Sequence, residues 1–301
     1  MKTMEAFKNY LKKQGYARSS IESYLRVVLV FIAWAEGRHM EPEYITYAEL
    51  MEYLRHLKKR QLNQRTVQSY LIAIAHYFES LKEASVIQTN PVRYLDIRVK
   101  QTRKLYPVLK KEQLENLYLD FDIKGMRNTK PSARASAIRN RIAVGLMVYQ
   151  GLDVSALSNL ETEDVHILNG TVTIRGSRTS ARRILALQAR QIIELDRYIS
   201  QTRKELQNHF GQQESNLLLI HGYAKYTDAN RRLLQRLRKQ EPELLDSHQI
   251  RTSVITHWLK QYNLREVQYM AGHKKVYSTE LYRQNDTESL QMDIDRFHPL
   301  R

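Results

Sequence analysis

The stretch GHKKVYSTELY (272–282) places Tyr282 nine residues after His273. A tyrosine hydroxyl becomes a useful nucleophile only where neighbouring groups activate it. Upstream, HQIRTSVITHWL (248–259) sets His248 and Arg251 at i and i+3. On a helix these two share a face and can reach one anion. The guanidinium fork suits phosphate oxygens, and an imidazole handles protons near neutrality. Alone, a His–Arg pair is a weak signal in so basic a chain. LREVQYMAGH (264–273) strengthens it: the helical pattern stops at Gly272, a residue that commonly ends helices, with His273 just beyond. The chain holds 19 tyrosines, so only this context singles out Tyr282.

Composition limits the targets of such chemistry. The 301 residues carry a formal charge of +16, spread along the whole chain rather than gathered in a tail. That points to a polyanionic partner, above all nucleic acid. The absence of cysteine excludes disulfides and cysteine-ligated zinc, and fits a reducing cytoplasm. The lysine-rich first fifteen residues lack the apolar core of a signal peptide. The apolar run VVLVFIAWA (27–35) is too short to span a bilayer, so no membrane role is expected. Asp120/Asp122 and Asp293/Asp295 read as solvated carboxylates rather than metal ligands. With no Walker motif either, neither metal nor cofactor is expected.

The elements that must position these residues are mostly helical. SSIESYLRVVLVFIAWA (19–35) and RTVQSYLIAIAHYFESL (65–81) form a quasi-repeat with an apolar stripe at helical spacing. Ser19 or Ser20 would cap the first copy, Asn63 or Thr66 the second. Between them, Thr46 and Glu49 form a capping-box pattern at the head of 45–60, and 4–14 makes a further helix. The segment 89–109, bracketed by prolines, is strongly basic through Arg93, Arg98, Lys100, Arg103 and Lys104. It reads as a strap along a phosphate backbone or as a solvated linker. A helix over 110–119, a loop over 124–134 and a long helix over 135–150 follow. Apolar alternation around Asn169-Gly170 predicts a hairpin, with a third strand at 183–187. A basic amphipathic segment lies at 230–239 and includes Arg231 and Arg232.

Taken together, HQIRTSVITHWLKQYNLREVQYMAGHKKVYSTELY resembles the C-terminal motif block of the tyrosine recombinase (phage integrase) family. The matching positions are His248, Arg251, Thr256-His257, Gly272-His273 and Tyr282; Tyr277 falls too early. The helical repeat and TNPVRYL are similar to the family's core-binding domain and its exit. SNLETEDVHI resembles the family's lead into the catalytic hairpin. The resemblance implies a mostly α fold with a small β-sheet: a SAM-like helical core-binding bundle (1–88), a basic linker (89–108), a mixed α/β catalytic domain (109–285) and a C-terminal tail (286–301) that docks on a neighbouring protomer. It implies cleavage and rejoining of double-stranded DNA through a 3′-phosphotyrosyl intermediate, with neither ATP nor metal. It also implies that the two domains clamp duplex DNA, and assembly on DNA into a tetrameric synapse, with accessory recombination proteins as further candidate partners. The expected catalytic set is Tyr282, Arg251, His248, His273 and Arg178. The expected DNA contacts are Arg93, Arg98, Lys100, Arg103, Lys104, Arg231 and Arg232.

Two departures stand out. Where the family carries its first arginine, QGLDVSAL (150–157) carries Asp153, an anion beside the phosphate. Where the family has a lysine in the β-turn, RGSRTSARR (175–183) has none; Arg178 is the nearest match and Arg182 the next. An arginine is always charged and makes a poor general acid. Arg139, Arg141, Arg175 and Arg182 are open choices for the missing guanidinium. The alternative reading is a DNA-binding architectural protein on a recombinase fold, with cleavage weakened or lost. The joint presence of His248, Arg251, His273 and Tyr282 favours the active enzyme.

Overall fold

The computed structural model describes residues 2–95, 105–121, 130–222 and 226–285. The chain divides into two compact units, Met1–Arg103 and Lys104–Arg301.

The first unit is helical. Helices α1 (Lys2–Lys13), α2 (Arg18–Glu36), α3 (Tyr47–Lys59) and α4 (Gln64–Glu83) precede a 3₁₀ turn, Pro91–Tyr94. The quasi-repeat becomes α2 and α4, which pack on each other. Equivalent positions of the repeat are buried together: Ile21 with Val67, Val28 with Ile74, Phe31 with Tyr77, Ala35 with Leu81. Aromatic rings fill the core between them. Phe31 meets Tyr53 edge-on at 5.0 Å, and Phe7 meets Tyr77 at 5.7 Å, the geometry that the ring quadrupoles favour. Asn63 caps α4, and the Thr46–Glu49 capping box closes α3. The expected serine cap of α2 is corrected. Its N-cap is Ala17, and Ser19 and Ser20 lie inside the first turn, which the Arg18–Glu22 ion pair at 3.0 Å braces instead.

The second unit is built around α6 (Pro131–Gln150), following α5 (Lys111–Leu119). Residues Ile142–Val148 are buried on every face, as expected of a central helix. This helix starts within the stretch expected to be loop, because Pro131 occupies its first turn, where proline's missing N–H costs nothing. Next come α7 (Val154–Asn159) and an antiparallel sheet, β1 (Val165–His166), β2 (Thr171–Ile174) and β3 (Arg183–Ala186), in order β1-β2-β3. Asn169-Gly170 makes the β1–β2 turn, with Gly170 at φ +60°. The rest is helical: α8 (Ala189–Arg197), α9 (Arg203–Phe210), α10 (Tyr226–Gln240), α11 (Ser247–Gln261), α12 (Leu264–Ala271) and α13 (Val276–Glu280), then a 3₁₀ turn, Leu281–Asn285. No helix among the described residues is long and apolar enough to cross a membrane.

The start of this unit is stitched to α11. Ser253 Oγ accepts from the Leu109 N–H at 2.9 Å, Gln249 Nε2 donates to Pro107 O at 3.0 Å, and His257 Nε2 donates to Leu109 O at 2.8 Å. His257 is therefore structural, and it anchors the helix that carries His248 and Arg251.

Candidate active site

Arg251 projects from α11 into the interior, held by two helix ends. Its Nη1 donates to Gly151 O, at the C-cap of α6, and its Nη2 to Ala271 O, the last residue of α12, at 2.7 Å. Both helices end at glycines in the left-handed region, Gly151 at φ +59° and Gly272 at φ +72°. Carbonyls at helix C-termini carry partial negative charge, so the guanidinium sits where two helix dipoles favour it.

His273 lies just past Gly272. Its Nε2 is 3.5 Å from Arg251 Nη2, and its Nδ1 is 2.9 Å from Thr279 Oγ1. A guanidinium only donates, so Nε2 is the acceptor and Nδ1–H donates to the buried threonine hydroxyl. Burial, reinforced by Arg251 and Arg183, pushes the His273 pKa down to about 4, against an opposing pull from Asp153. The imidazole is neutral at pH 7. Tyr282, only 8% exposed, stacks on it with ring centroids 5.5 Å apart and planes 17° from parallel. Tyr282 packs with Ile255, Val267 and Ala271. Tyr277, by contrast, is 67% exposed.

His248 is exposed at the start of α11 and meets the Tyr106 ring edge-on at 5.0 Å. Arg178 is exposed on the β2–β3 loop, and its carbonyl accepts from Lys274 Nζ at 3.1 Å. That loop is tied to the His273 segment by the Ala181 N–H, which donates to Gly272 O at 2.9 Å. Asp153 caps α7, its Oδ1 accepting from Ala156 N at 2.8 Å.

Of the arginines considered for the missing guanidinium, three are committed elsewhere. Arg139 donates to Ile220 O at 2.7 Å and grips Asn140. Arg141 pairs with both oxygens of Glu194 at 3.0 Å and lies over Tyr118. Arg175 is surrounded by Glu161, Glu163 and Asp164. Arg182 is exposed. Two basic residues that sequence reasoning passed over are brought to the site: Lys274, and Arg183 on β3, which is 2% exposed. Arg183 left a trace in the sequence, since Arg183, Leu185 and Leu187 share the inward face of the alternation.

Among the expected DNA contacts, Arg93 is exposed and pairs with Glu79 at 2.8 Å. On α10, Arg231 lies 3.8 Å from Asp228, and Arg232 is exposed. Arg98, Lys100, Arg103 and Lys104, and the tail 286–301, lie outside the described residues. No group of three or more potential ligands among the described residues could hold a metal ion.

Residues 107–289 match the model of the phage integrase family, more than half of the chain. The chain belongs to the phage integrase family. Residues 3–88 match that family's N-terminal SAM-like domain. Curated relatives include tyrosine recombinase XerD of Oceanobacillus iheyensis, 25% identical over 98% of both chains. Another is the TnP I resolvase of Bacillus thuringiensis, 23% identical over 94% of this chain and 95% of the relative. The fold is similar to a lambda integrase fragment in a dimer bound to a COC′ core site, with a TM-score of 0.62, 16% identity and 95% of each chain covered. It is equally similar to the Tn1549 transposon integrase in complex with circular intermediate DNA, with a TM-score of 0.62, 15% identity, and 96% and 98% of the two chains covered.

Proposed function

We propose that this protein is a site-specific DNA recombinase that cleaves and rejoins duplex DNA through Tyr282. One observation carries the reading: the Tyr282 ring lies on a neutral His273 that is itself in contact with Arg251. Nucleophile, proton-handling group and phosphate-binding cation thus come from one chain, which supports cleavage in cis. The Tyr282 oxygen bonds to phosphorus as the bond from phosphorus to the 5′-oxygen breaks. The phenolic proton leaves to a base, and the departing oxygen takes up a proton. Arg251 neutralises charge gathering on the non-bridging oxygens. His248 stands on the same face of α11, one turn before it.

Arg178 contributes charge but is a poor acid. Lys274, whose ammonium rests on the same turn, is the group assigned to protonate the 5′-oxygen. The net charge of +16 and the fold's likeness to an integrase in complex with circular intermediate DNA support duplex DNA as partner, with residues 1–88 and 109–285 binding it, 89–108 as the basic connector and 286–301 reaching a second protomer in a tetrameric synapse. A protein that acts on DNA in this way is expected in the cytoplasm, at the nucleoid. Backbone contacts should dominate, so affinity should fall steeply with salt. The test begins with pull-down sequencing to recover the DNA site. A nicked suicide duplex carrying that site is then scored for an SDS-resistant protein–DNA adduct. An adduct formed by wild type and lost in Tyr282→Phe supports the recombinase. Tight binding without any adduct supports the architectural alternative.

A further inference from the structure

We propose that Arg183 supplies the guanidinium missing at position 153, gripping the scissile phosphate beside Arg251, with Asp153 as its counter-ion. The inference rests on the recombinase reading and deepens it.

The inward face of β3 is apolar at Leu185, yet it carries a charged residue at Arg183, paired in register with Ile174. Arg183 Nε has no hydrogen-bond partner among the described residues, and its Nη1 makes only a long 3.4 Å contact with Ala181 O. A buried guanidinium so poorly satisfied is costly unless something else completes it. Its surroundings make an anion the fitting complement. Arg251 acts on it as a like charge and Asp153 as an opposite one. Asp153 already spends one oxygen capping α7. One carboxylate against two guanidinium charges leaves positive charge, and a phosphodiester would balance it.

Gly272 makes the placement possible. A Cβ built there would overlap the Arg183 guanidinium, coming within 2.8 Å of Cζ. The bare backbone lets Arg183 lie against the turn that presents His273. Through that turn Arg183 reaches the same corner as Arg251, whose Nη1 holds Gly151 two residues before Asp153. Arg183 on β3 would then do the work of an arginine at the α6–α7 corner, with the carboxylate of Asp153 as the nearby opposite charge.

Adduct formation by wild type, Arg183→Ala and Arg183→Lys is compared on nicked duplexes bearing either a phosphodiester or a neutral methylphosphonate at the scissile position. The methylphosphonate lacks the charge Arg183 would neutralise. Arg183→Ala should lose about 100- to 1,000-fold on the phosphodiester. On the methylphosphonate it should lose less than about tenfold. Arg183→Lys keeps the charge without the fork, so it should fall between wild type and Arg183→Ala on the phosphodiester. It also stands in if thermal melting shows Arg183→Ala to be unfolded. Equal losses on both substrates would make Arg183 a packing residue and overturn the proposal. No adduct from wild type on the phosphodiester would instead bring down the recombinase reading, and this inference with it.

Discussion

The His273 imidazole and the Tyr282 phenol lie nearly parallel, 17° apart, with centroids separated by 5.5 Å. The stack fixes the phenol ring against a base that is neutral at pH 7. Tyr282→Phe keeps the ring and its packing against Ile255, Val267 and Ala271 and removes only the oxygen. Its melting temperature should match wild type within a few degrees, while adduct formation falls by at least about 1,000-fold. Calorimetry and denaturing gels check the two halves separately.

His273 also makes stability depend on pH. Its pKa is about 4 in the folded chain and near 6.5 when unfolded. Between those values the unfolded chain binds the extra proton. The contribution is therefore complete above about pH 6.5 and is lost as pH falls towards 4. For a ring that is not wholly buried it amounts to about 1–2 kcal/mol after solvent screening. His273→Gln should flatten the melting temperature against pH in that window relative to wild type. A parallel pair of curves would show that His273 is not held neutral.

Much of this architecture was legible in the residue pattern, and the reasons are local. The helical stripes of α2 and α4, the Thr46–Glu49 box and the Asn169-Gly170 turn each depend on neighbours a few positions away. The roles of the arginines depend on partners far along the chain. Arg141 is withdrawn from the choice by Glu194, and Arg139 by Ile220. Arg183 was masked by Arg182 beside it: two adjacent arginines read as surface, and only the packing of β3 turns one inward. Asp153 looked like a repulsive charge because its use as a helix cap and its closeness to the buried charge of Arg183 both arise only in the folded chain.

Lys274 offers a test of leaving-group protonation. Lys274→Ala should slow cleavage of an ordinary phosphodiester by about 100-fold. A substrate with sulfur in place of the bridging 5′-oxygen expels a thiolate, which needs no proton. On that substrate Lys274→Ala and wild type should cleave alike. If the sulfur substrate does not close the gap, Lys274 is not the acid.

Gly272→Ala should damage both fold and site. The left-handed backbone at φ +72° costs about 1–2 kcal/mol for an L-residue. The added methyl must also push Arg183 from its place. Adduct formation should fall more than DNA binding does, since distant backbone contacts are untouched. Equal losses in a mobility-shift assay and an adduct assay would mean that the turn serves only folding.

Asp153→Arg distinguishes relocation of the arginine from its loss. If cleavage were disabled by the aspartate, restoring arginine at 153 in the wild-type background should raise adduct formation. If Arg183 has taken over, the same change puts a third guanidinium beside Arg183 and Arg251, where like charges repel. It also removes the α7 cap, worth about 1 kcal/mol. The single variant should then be less stable and no more active. In the Arg183→Ala background, however, Asp153→Arg should recover at least about tenfold of the lost rate, because the two positions serve one phosphate and their effects cannot add. Melting curves and adduct rates for wild type, both single variants and the double variant decide it. Strictly additive losses would mean that the two residues do not share a site.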